Sequence, residues 1–275
     1  MNKNLLFRWS IVAAPAGFIF GFDTVVISGA NQPIKDLWHT SPWFHGFFIM
    51  SMALWGTVIG SIFGGFPTEV YGRKKVLLWI GIIYTISAFG SALAQDPYTF
   101  SAFRFLGGIG IGVSSVVAPT YISEISTPKT RGRMVAMYQF NIVFGILIAF
   151  LSNYFLKGFD GINDWRWMLG VLAIPSIIYS VMVMAVPESP RWLVSRKKDL
   201  VKAKAVMEQL GVDDADAEIK ALVNAEKEMH LESGLASIFS GRYRKVMFLA
   251  FFVAFFNQLS GINFILYYAP EIMER

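Results

Sequence analysis

Long runs of uncharged, mostly apolar residues alternate with short polar stretches along this chain. The seven runs cover residues 9–22, 44–68, 76–95, 105–123, 134–156, 167–187 and 246–270. A helix needs roughly 20 residues to cross about 30 Å of hydrocarbon, and six of the runs reach this length unaided. The first run does so only by including Asp23 and continuing through Ile27. The pattern predicts an all-α polytopic membrane protein with seven membrane helices.

The sequence becomes polar after Pro187, and residues 191–244 are charged and rich in helix-forming residues. Apolar side chains recur there at helical spacing, which predicts an amphipathic helix, at Leu200, Ala203, Val206, Met207 and Leu210. The chain therefore divides into a six-helix transmembrane bundle (1–187), a cytoplasmic helical linker domain (188–244) and a seventh transmembrane helix (245–275). A bundle seldom ends one helix after a linker, so we expect further C-terminal helices to be missing from this sequence.

Composition supports a membrane protein and its charge predicts an orientation. Hydrophobic residues make up 55% of the chain and charged residues 16%, against about 25% charged in soluble domains. Of the 24 Lys and Arg residues, 19 lie in segments 1–8, 67–75, 123–133 and 187–245. Cytoplasmic loops carry such an excess, so the N-terminus is expected in the cytoplasm. The chain has no cysteine, and the absence of an Asn-X-Ser/Thr sequon fits a bacterial cell membrane.

Two charges fall inside predicted membrane helices. By helical rise, Asp23 lies about 22 Å from the inner boundary, and Arg104, on a helix of opposite direction, about 9 Å from the outer one. These depths agree within a helical turn. A charged side chain in hydrocarbon usually faces the interior of the helix bundle and pairs with an opposite charge. Protonation of the aspartate would weaken such a pair. The residues alone leave three interpretations open: proton coupling, a static structural ion pair, or an aspartate at the water interface.

Three acid–base motifs fall on the predicted cytoplasmic side. Each places a glutamate near a helix end with an arginine a few residues away; they pair Glu69 with Arg73, Glu124 with Arg131, and Glu188 with Arg191. Such pairs can hold helices together at one face and release them when the bundle moves. The positive-inside rule explains the bases but not the three acids beside them.

Motifs for covalent chemistry are absent from the sequence. The glycine-rich string at 107–112 lies inside a hydrophobic run with no strand before it, which favours close helix packing over a phosphate loop. His39, His45 and His230 show no metal-ligand spacing. We therefore expect no enzyme, no organic cofactor, no metal site and no nucleic-acid partner.

Several strings carry a resemblance to a known family across essentially the whole chain. They are Gly21-Phe22-Asp23-Thr24, Gly72-Arg73-Lys74-Lys75, Arg104-Phe105-Leu106-Gly107-Gly108, Glu124 with Arg131-Gly132-Arg133, Pro187-Glu188-Ser189-Pro190-Arg191, and Gln258-Leu259-Ser260-Gly261-Ile262-Asn263. In them the chain resembles the sugar porter family of the major facilitator superfamily, and within it bacterial xylose–proton and hexose–proton symporters. One departure is Glu69-Val70, where the family has Asp, often followed by Arg, so that one acid–base contact is expected to be weaker.

The resemblance implies a major facilitator fold, in which the first six helices form two inverted three-helix repeats. It implies that Asp23 and Arg104 couple a proton to transport, and that the three acid–base motifs form a cytoplasmic gate. It also implies a monosaccharide site, whose matching positions are Phe20, Gln139, Ile146, Asn257, Gln258, Asn263 and Tyr267, with Tyr268 as a further aromatic wall residue. Carboxamides suit a polyol because each supplies both donors and an acceptor.

Helical geometry fits this site only with a break. Ile146 lies one heptad from Gln139 and shares its helical face. Asn263 lies roughly 140° from Gln258 on an ideal helix, so the two would not share a face. Gly261 between them offers a break of the kind that discontinuous transporter helices have at binding sites. For Gln139 the alternative is a hydrogen bond between helices.

The sequence thus predicts a transporter that imports a monosaccharide, xylose or a hexose, with protons, by alternating access in a lipid bilayer. The proton is its coupling ion. A facilitative sugar uniporter of the same fold is one alternative. A fragment that does not transport, or a membrane sugar sensor, is another. Ile146 favours a hexose or broad pentose and hexose use, because xylose-type symporters carry a glutamine there and glucose-facilitator types an isoleucine.

Overall fold

The protein is built from helices. The computed structural model describes residues 15–126, 130–212, 214–231 and 241–273. Within these residues every regular element is helical and none is a strand. The prediction of an all-α protein is therefore confirmed.

Six long helical elements form the first part of the chain. They are α1 (Pro15–Trp38), α2 (Pro42–Phe63), α3 (Arg73–Leu93), α4 (Pro97–Ile125), α5 (Arg131–Leu156) and α6 (Gly161–Met184). Two of them are irregular: α2 contains a π-helical stretch, His45–Met50, and α6 consists of Gly161–Asn163, Asp164–Gly170 and Ala173–Met184. A short helix, Gly65–Tyr71, follows α2.

The linker and the last predicted span are helical as well. After the short elements Pro190–Trp192 and Leu193–Lys197 come α7 (Leu200–Leu210) and α8 (Ala215–Leu231). Asp199 caps α7 by accepting the backbone N–H of Lys202 at 3.1 Å, and Gly211 ends it in the left-handed conformation. The predicted apolar face is buried at Ala203, Val206, Met207 and Leu210, whereas Leu200 is exposed. The seventh span is two helices, α9 (Gly241–Leu259) and α10 (Ile262–Met273).

Six segments of the described chain are long and apolar enough to cross a membrane: α2 to α6 and the range Lys245–Met273. Helix α1 has 24 described residues but carries Asp23, Lys35 and Asp36, and it is not among the six. Residues 9–14 of the first predicted run lie outside the described residues. Length and composition thus support six of the seven predicted spans.

Glycines let the helices of the bundle approach closely. Helix α1 packs against α5, and α2 against α4. A Cβ at Gly21 would lie 2.0 Å from the Ile142 carbonyl oxygen, and one at Gly108 would lie 2.1 Å from that of Ala53. Small residues at helix interfaces permit such contacts between backbones. The glycine-rich string 107–112 therefore serves helix packing, as predicted.

Candidate functional site

The two intramembrane charges meet in the centre of the bundle. Asp23 on α1 is 1% exposed and Arg104 on α4 is 2% exposed. Arg104 Nη1 donates to Asp23 Oδ1, and Nη2 donates to the backbone carbonyl of Asp23 at 3.2 Å. The pairing that helix depth predicted is therefore present. An ion pair buried this deeply depends on both partners, because removing one leaves the other uncompensated.

The pair is not fully satisfied. Asp23 Oδ2 and Arg104 Nε have no hydrogen-bond partner among the described residues. A Cβ at Gly107 would lie 3.6 Å from Asp23 Oδ2, so this oxygen lies beside the glycine-rich stretch of α4. A buried oxygen without a donor is costly as a carboxylate. The arrangement thus leaves one carboxylate oxygen of Asp23 buried without a donor among the described residues.

Helix α10 lies against α1 near this pair. Tyr267 is its only described residue that is buried, and its side chain lies within electrostatic range of both Asp23 and Arg104. Tyr268 beside it is half-buried and packs against the apolar core. The structure therefore buries one predicted sugar-wall residue, Tyr267, on a helix that packs against α1, the helix of Asp23.

The helix of the last span breaks where the sequence suggested. Helix α9 ends at Leu259, α10 begins at Ile262, and Gly261 between them has φ of +76°. Glycine adopts this backbone conformation without the steric cost of a side chain. Across the break Asn263 Nδ2 donates to Gln258 Oε1 at 2.7 Å. Two carboxamides that an ideal helix would separate are thereby joined.

The other predicted sugar residues lie on α1, α5 and α9. Phe20 on α1 and Ile146 on α5 are half-buried against the core, and α1 packs on α5. Gln139 and Asn257 are exposed. In the described part of the chain the Gln139 amide forms no hydrogen bond to another helix, so the interhelical alternative has no contact to support it.

A cluster of charges, which we call the Arg73 cluster, occupies the end of the bundle where α3 begins. It consists of Glu69, Arg73, Glu124 and Glu188. Arg73 Nε and Nη2 donate to the two oxygens of Glu124, both at 2.9 Å, and Nη2 also donates to Glu69 at 2.9 Å. This bidentate contact joins the start of α3 to the end of α4, and bidentate contacts between arginine and a carboxylate are the stronger kind of ion pair.

Glu188 completes the Arg73 cluster through the backbone. Its Oε1 accepts the N–H groups of Arg73, Lys74 and Ser189 at 2.9, 3.0 and 2.9 Å. Gly72, with φ of +96°, lies directly against this carboxylate. The segment after α6 is thereby fixed to the N-terminus of α3.

Two of the three predicted acid–base pairs are not formed by the described side chains. Glu124 pairs with Arg73 instead of Arg131, and Glu188 takes backbone N–H groups instead of Arg191. The reason is that Arg73 enters the cluster and occupies Glu124, while Arg131 and Arg191 are exposed. They line a cavity of about 280 Å³ with Ser126 and Glu218. Glu69 pairs with Arg73 as predicted, and also with Arg196 at 3.1 Å, a partner that the sequence reasoning missed.

The surroundings shift the pKa values of Glu188 and Glu69, two acids of the Arg73 cluster, in opposite directions. Burial raises the pKa of Glu188 above its ordinary value, against the effect of its backbone hydrogen bonds and of Arg73. Burial also tends to raise the pKa of Glu69, but the charge of Arg73 and the contacts with Arg196 outweigh this effect and lower the pKa. The two glutamates therefore respond to pH in different ranges.

A network that no sequence pattern predicted lies at the opposite end of the bundle. Asn31 on α1 donates to Glu271 on α10, and the imidazole Nε2 of His45 lies 2.6 Å from Asn31 Oδ1. Thr40 Oγ1 is 2.8 Å from the other nitrogen of His45. Asn31 and Glu271 are 240 residues apart, and no local pattern joins them.

The chain is similar in sequence to known proteins. A profile of the family described as sugar (and other) transporter matches residues 9–275. The chain is 36% identical over 270 residues to the arabinose-proton symporter of Bacillus subtilis, and 35% identical over 280 residues to the galactose-proton symporter of Escherichia coli K12. These matches cover 96% and 99% of the chain but 58% of each relative. The chain thus spans a little over half the length of these relatives.

Solved structures share the fold. The proton:xylose symporter XylE bound to 6-bromo-6-deoxy-D-glucose matches with a TM-score of 0.89 at 29% identity, over 99% of this chain and 63% of that one. A partially occluded inward open conformation of the E. coli xylose transporter XylE matches with a TM-score of 0.86 at 28% identity, over 98% of this chain and 65% of that one.

Proposed function

The chain belongs to the sugar (and other) transporter family, and on that premise we propose that the protein containing it carries a monosaccharide across a membrane together with protons. Members of this family are transporters, not enzymes. The relatives named above are symporters of arabinose, galactose and xylose with protons, which supports a pentose or hexose as the substrate.

The buried pair of Asp23 and Arg104 is the observation that carries the proton part of the proposal. The pair joins α1 to α4, and its second carboxylate oxygen lacks a donor. Protonation of Asp23 removes the negative charge from this contact and weakens it. One proton thereby changes how two helices of the bundle hold together, which a symporter requires.

Carboxamides and aromatic rings supply the proposed sugar site. Gln258 and Asn263 meet at the break before α10, and Asn257 precedes them. We place Gln139 and Ile146 of α5, Phe20 of α1 and Tyr267 of α10 around the same sugar. Tyr267 lies near Asp23 and Arg104, so a sugar contacting its ring would adjoin the pair that responds to protons. Sites of this kind often form at broken helices near the middle of a transporter.

The Arg73 cluster serves in this proposal as the cytoplasmic gate. The concentration of Lys and Arg at this end of the bundle supports a cytoplasmic location. The bundle of residues 1–187 then meets the linker domain of residues 188–244 through Glu188, and residues 245–275 begin the second half. Arg131 and Arg191 lie at the rim of this gate, where they are available to other partners when the bundle moves.

Uptake into vesicles tests the proposed function. Vesicles containing a transport-competent form of the protein should accumulate labelled sugar against its gradient when a pH gradient is imposed, and a protonophore should abolish this accumulation. Equilibration without accumulation would favour a facilitative uniporter. Sugar binding without flux would favour a sugar sensor.

A further inference from the structure

A polar cavity lies at the end of the bundle opposite the Arg73 cluster. It has a volume of about 190 Å³ and is lined by residues of α1, α2 and α10. Its polar lining consists of Asn31, Gln32, Lys35, His45, Tyr268 and Glu271. We call it the outer cavity, because the proposed orientation of the protein puts this end outside the cytoplasm.

Two helices contribute most of the polar side chains of the outer cavity. Asn31 and Lys35 are four residues apart on α1, and Tyr268 and Glu271 are three residues apart on α10. Residues with these spacings share one face of a helix. Helix α10 packs against α1, and Asn31 donates directly to Glu271. The two polar faces therefore meet at the cavity.

The outer cavity lies farther along the bundle than the buried ion pair. Asn31 and Lys35 follow Asp23 on α1 by eight and twelve residues, or by about 12 and 18 Å along the helix axis. On α10, Glu271 follows Tyr267 by four residues, or by about 6 Å. The cavity thus lies between the outer end of the bundle and the sugar site proposed above, to which Tyr267 belongs.

A chain of hydrogen bonds fixes one wall of the outer cavity. Asn31 and His45 are 4% and 5% exposed. Because Asn31 donates its amide N–H to Glu271, its Oδ1 is the acceptor for His45 Nε2 at 2.6 Å. The other nitrogen of His45 then accepts from Thr40 Oγ1 at 2.8 Å. These contacts hold Glu271 through Oε1 and leave its Oε2 for another partner.

Three groups of the outer cavity remain available for hydrogen bonds. Lys35 forms no ion pair in the part of the chain that the structure describes. Gln32 donates its amide to Asp36 at 2.9 Å, which leaves Oε1 as an acceptor. With Glu271 Oε2, the cavity offers one strong donor and two acceptors from opposite helices. Groups held in place before a ligand arrives lose little entropy when they bind it.

This set of groups fits a neutral ligand that carries several hydroxyls. The positive charge of Lys35 is balanced by the negative charge of Glu271, so neither an anion nor a cation is favoured. Among the described residues no group of three His, Asp or Glu side chains could hold a metal ion. A hydroxyl both donates and accepts, as the cavity requires, and the ring of Tyr268 adds an aromatic surface. The volume is below the roughly 300–1,000 Å³ of pockets for drug-sized molecules, which suits a single sugar ring.

We propose that the outer cavity binds a second molecule of monosaccharide, outside the site formed at the break before α10. In this arrangement Lys35 donates to the sugar, and Gln32 and Glu271 accept from its hydroxyls. The inference rests on the proposed function for the identity of the ligand. A sugar held here lies on the outer side of Tyr267, so the cavity captures the substrate before it enters the bundle.

Protection of a lysine from chemical modification tests this binding without transport. When xylose, arabinose or galactose is added at ten times the concentration that halves the rate, an amine-reactive reagent should label Lys35 about tenfold more slowly. Lys157, exposed at the same end of the bundle, is the internal control and should react equally with and without sugar. Unprotected Lys35 in a protein that takes up sugar would overturn the proposal and leave the proposed function standing. Protected Lys35 in a protein that moves no sugar would support the cavity and contradict transport.

Gln258→Ala separates direct protection from a change of shape caused by sugar at the other site. Protection of Lys35 by sugar in the outer cavity should persist in this variant. Gln32→Ala and Glu271→Gln each remove one acceptor, so each should raise the sugar concentration needed for protection at least about fivefold. Gln95→Ala, in an exposed loop, should leave it unchanged. Protection that is lost in Gln258→Ala but kept in Gln32→Ala and Glu271→Gln would assign the effect to the other site and overturn the proposal.

Discussion

Gly72 lies in contact with Glu188, although the two residues are far apart in the sequence. Arg73, the residue after Gly72, donates its backbone N–H to Glu188 across a separation of 115 residues. A Cβ at Gly72 would lie 2.3 Å from Glu188 Oε2, and the φ of +96° at Gly72 is one that other residues rarely adopt. The glycine therefore allows the carboxylate to reach the backbone N–H groups of Arg73 and Lys74 at the start of α3. The Arg73 cluster depends on a residue without a side chain.

Gly72→Ala should loosen the Arg73 cluster. The added methyl group displaces the Glu188 carboxylate, and an alanine at this φ costs about 1 kcal/mol, or roughly a fivefold shift in an equilibrium. The chain has no cysteine, so a single introduced thiol can be labelled specifically. Ser126 is buried near the cluster, and the rate at which the thiol of Ser126→Cys is labelled reports how often the cluster opens. This rate should rise about fivefold. Gly132→Ala is the control, since no atom lies within 4 Å of the added carbon, and an equal rate in both variants would contradict the expectation.

Much of this architecture follows from the sequence because membrane helices obey strong constraints. Apolar length predicted the spans, and equal depth predicted that Asp23 would meet Arg104. Gly261 predicted the break that joins Gln258 to Asn263. In each case the cost of burying charge or backbone polarity leaves few arrangements, so that position along the chain is informative.

Contacts between distant segments could not be predicted from the sequence. The sequence analysis paired Glu124 with Arg131, and only the folded structure shows that Arg73 is its partner instead. The contact of Asn31 with Glu271 depends on how α10 lies against α1. The burial of Tyr84 and Tyr179 also has no sequence signal, because a tyrosine in an apolar run looks the same whether it faces lipid or the core.

The Arg73 cluster should respond to pH through Glu188. Burial raises the pKa of this carboxyl in the formed cluster, so the cluster is favoured while Glu188 is protonated. This stabilisation is complete below the ordinary pKa of 4.5 and is lost as pH rises through the raised value. Labelling of Ser126→Cys, relative to an exposed Gly132→Cys at each pH, should therefore increase as pH rises above 4.5.

Glu188→Gln is the discriminating variant for this pH effect. The amide keeps an oxygen that accepts backbone N–H groups but cannot ionise, so the rise above pH 4.5 should disappear. Glu69 acts in the opposite sense: its pKa is lowered, so its contribution is present above 4.5 and is lost only as pH falls through the lowered value. A rise that persists in Glu188→Gln would assign the effect to another group.

Orientation in the membrane can be measured directly. Positive residues concentrate at the end of the bundle that holds the Arg73 cluster, which predicts that this end faces the cytoplasm. A phosphatase fused after Gly158 should be active outside the cytoplasm, and one fused after Arg196 should be inactive. A fluorescent protein at the same two sites should give the reverse result. The opposite pattern would place the Arg73 cluster outside and refute its role as a cytoplasmic gate.

Sugar affinity should depend on the carboxamides. Gln258→Ala removes a group that meets Asn263 at 2.7 Å, and Gln139→Ala removes an exposed amide on α5. Each should weaken sugar binding at least about tenfold, or about 1.4 kcal/mol, because the sugar hydroxyls lose a hydrogen-bond partner. Gln95→Ala, in an exposed loop, is the control. Normal affinity in folded Gln258→Ala and Gln139→Ala proteins, measured by calorimetry, would leave these residues with a structural role only.

Asp23→Asn separates proton coupling from a structural ion pair. The amide resembles the protonated acid in shape, so a coupling role predicts that accumulation driven by a pH gradient is lost while sugar binding and counterflow remain. A purely structural role predicts instead a lower yield of folded protein, since Arg104 is left unpaired in the membrane at a cost of about a few kcal/mol. Asp36→Asn, exposed on the same helix, is the matched control. Accumulation and counterflow measured on the same vesicles decide the matter, because retained accumulation in Asp23→Asn would remove Asp23 from the coupling mechanism and favour a uniporter.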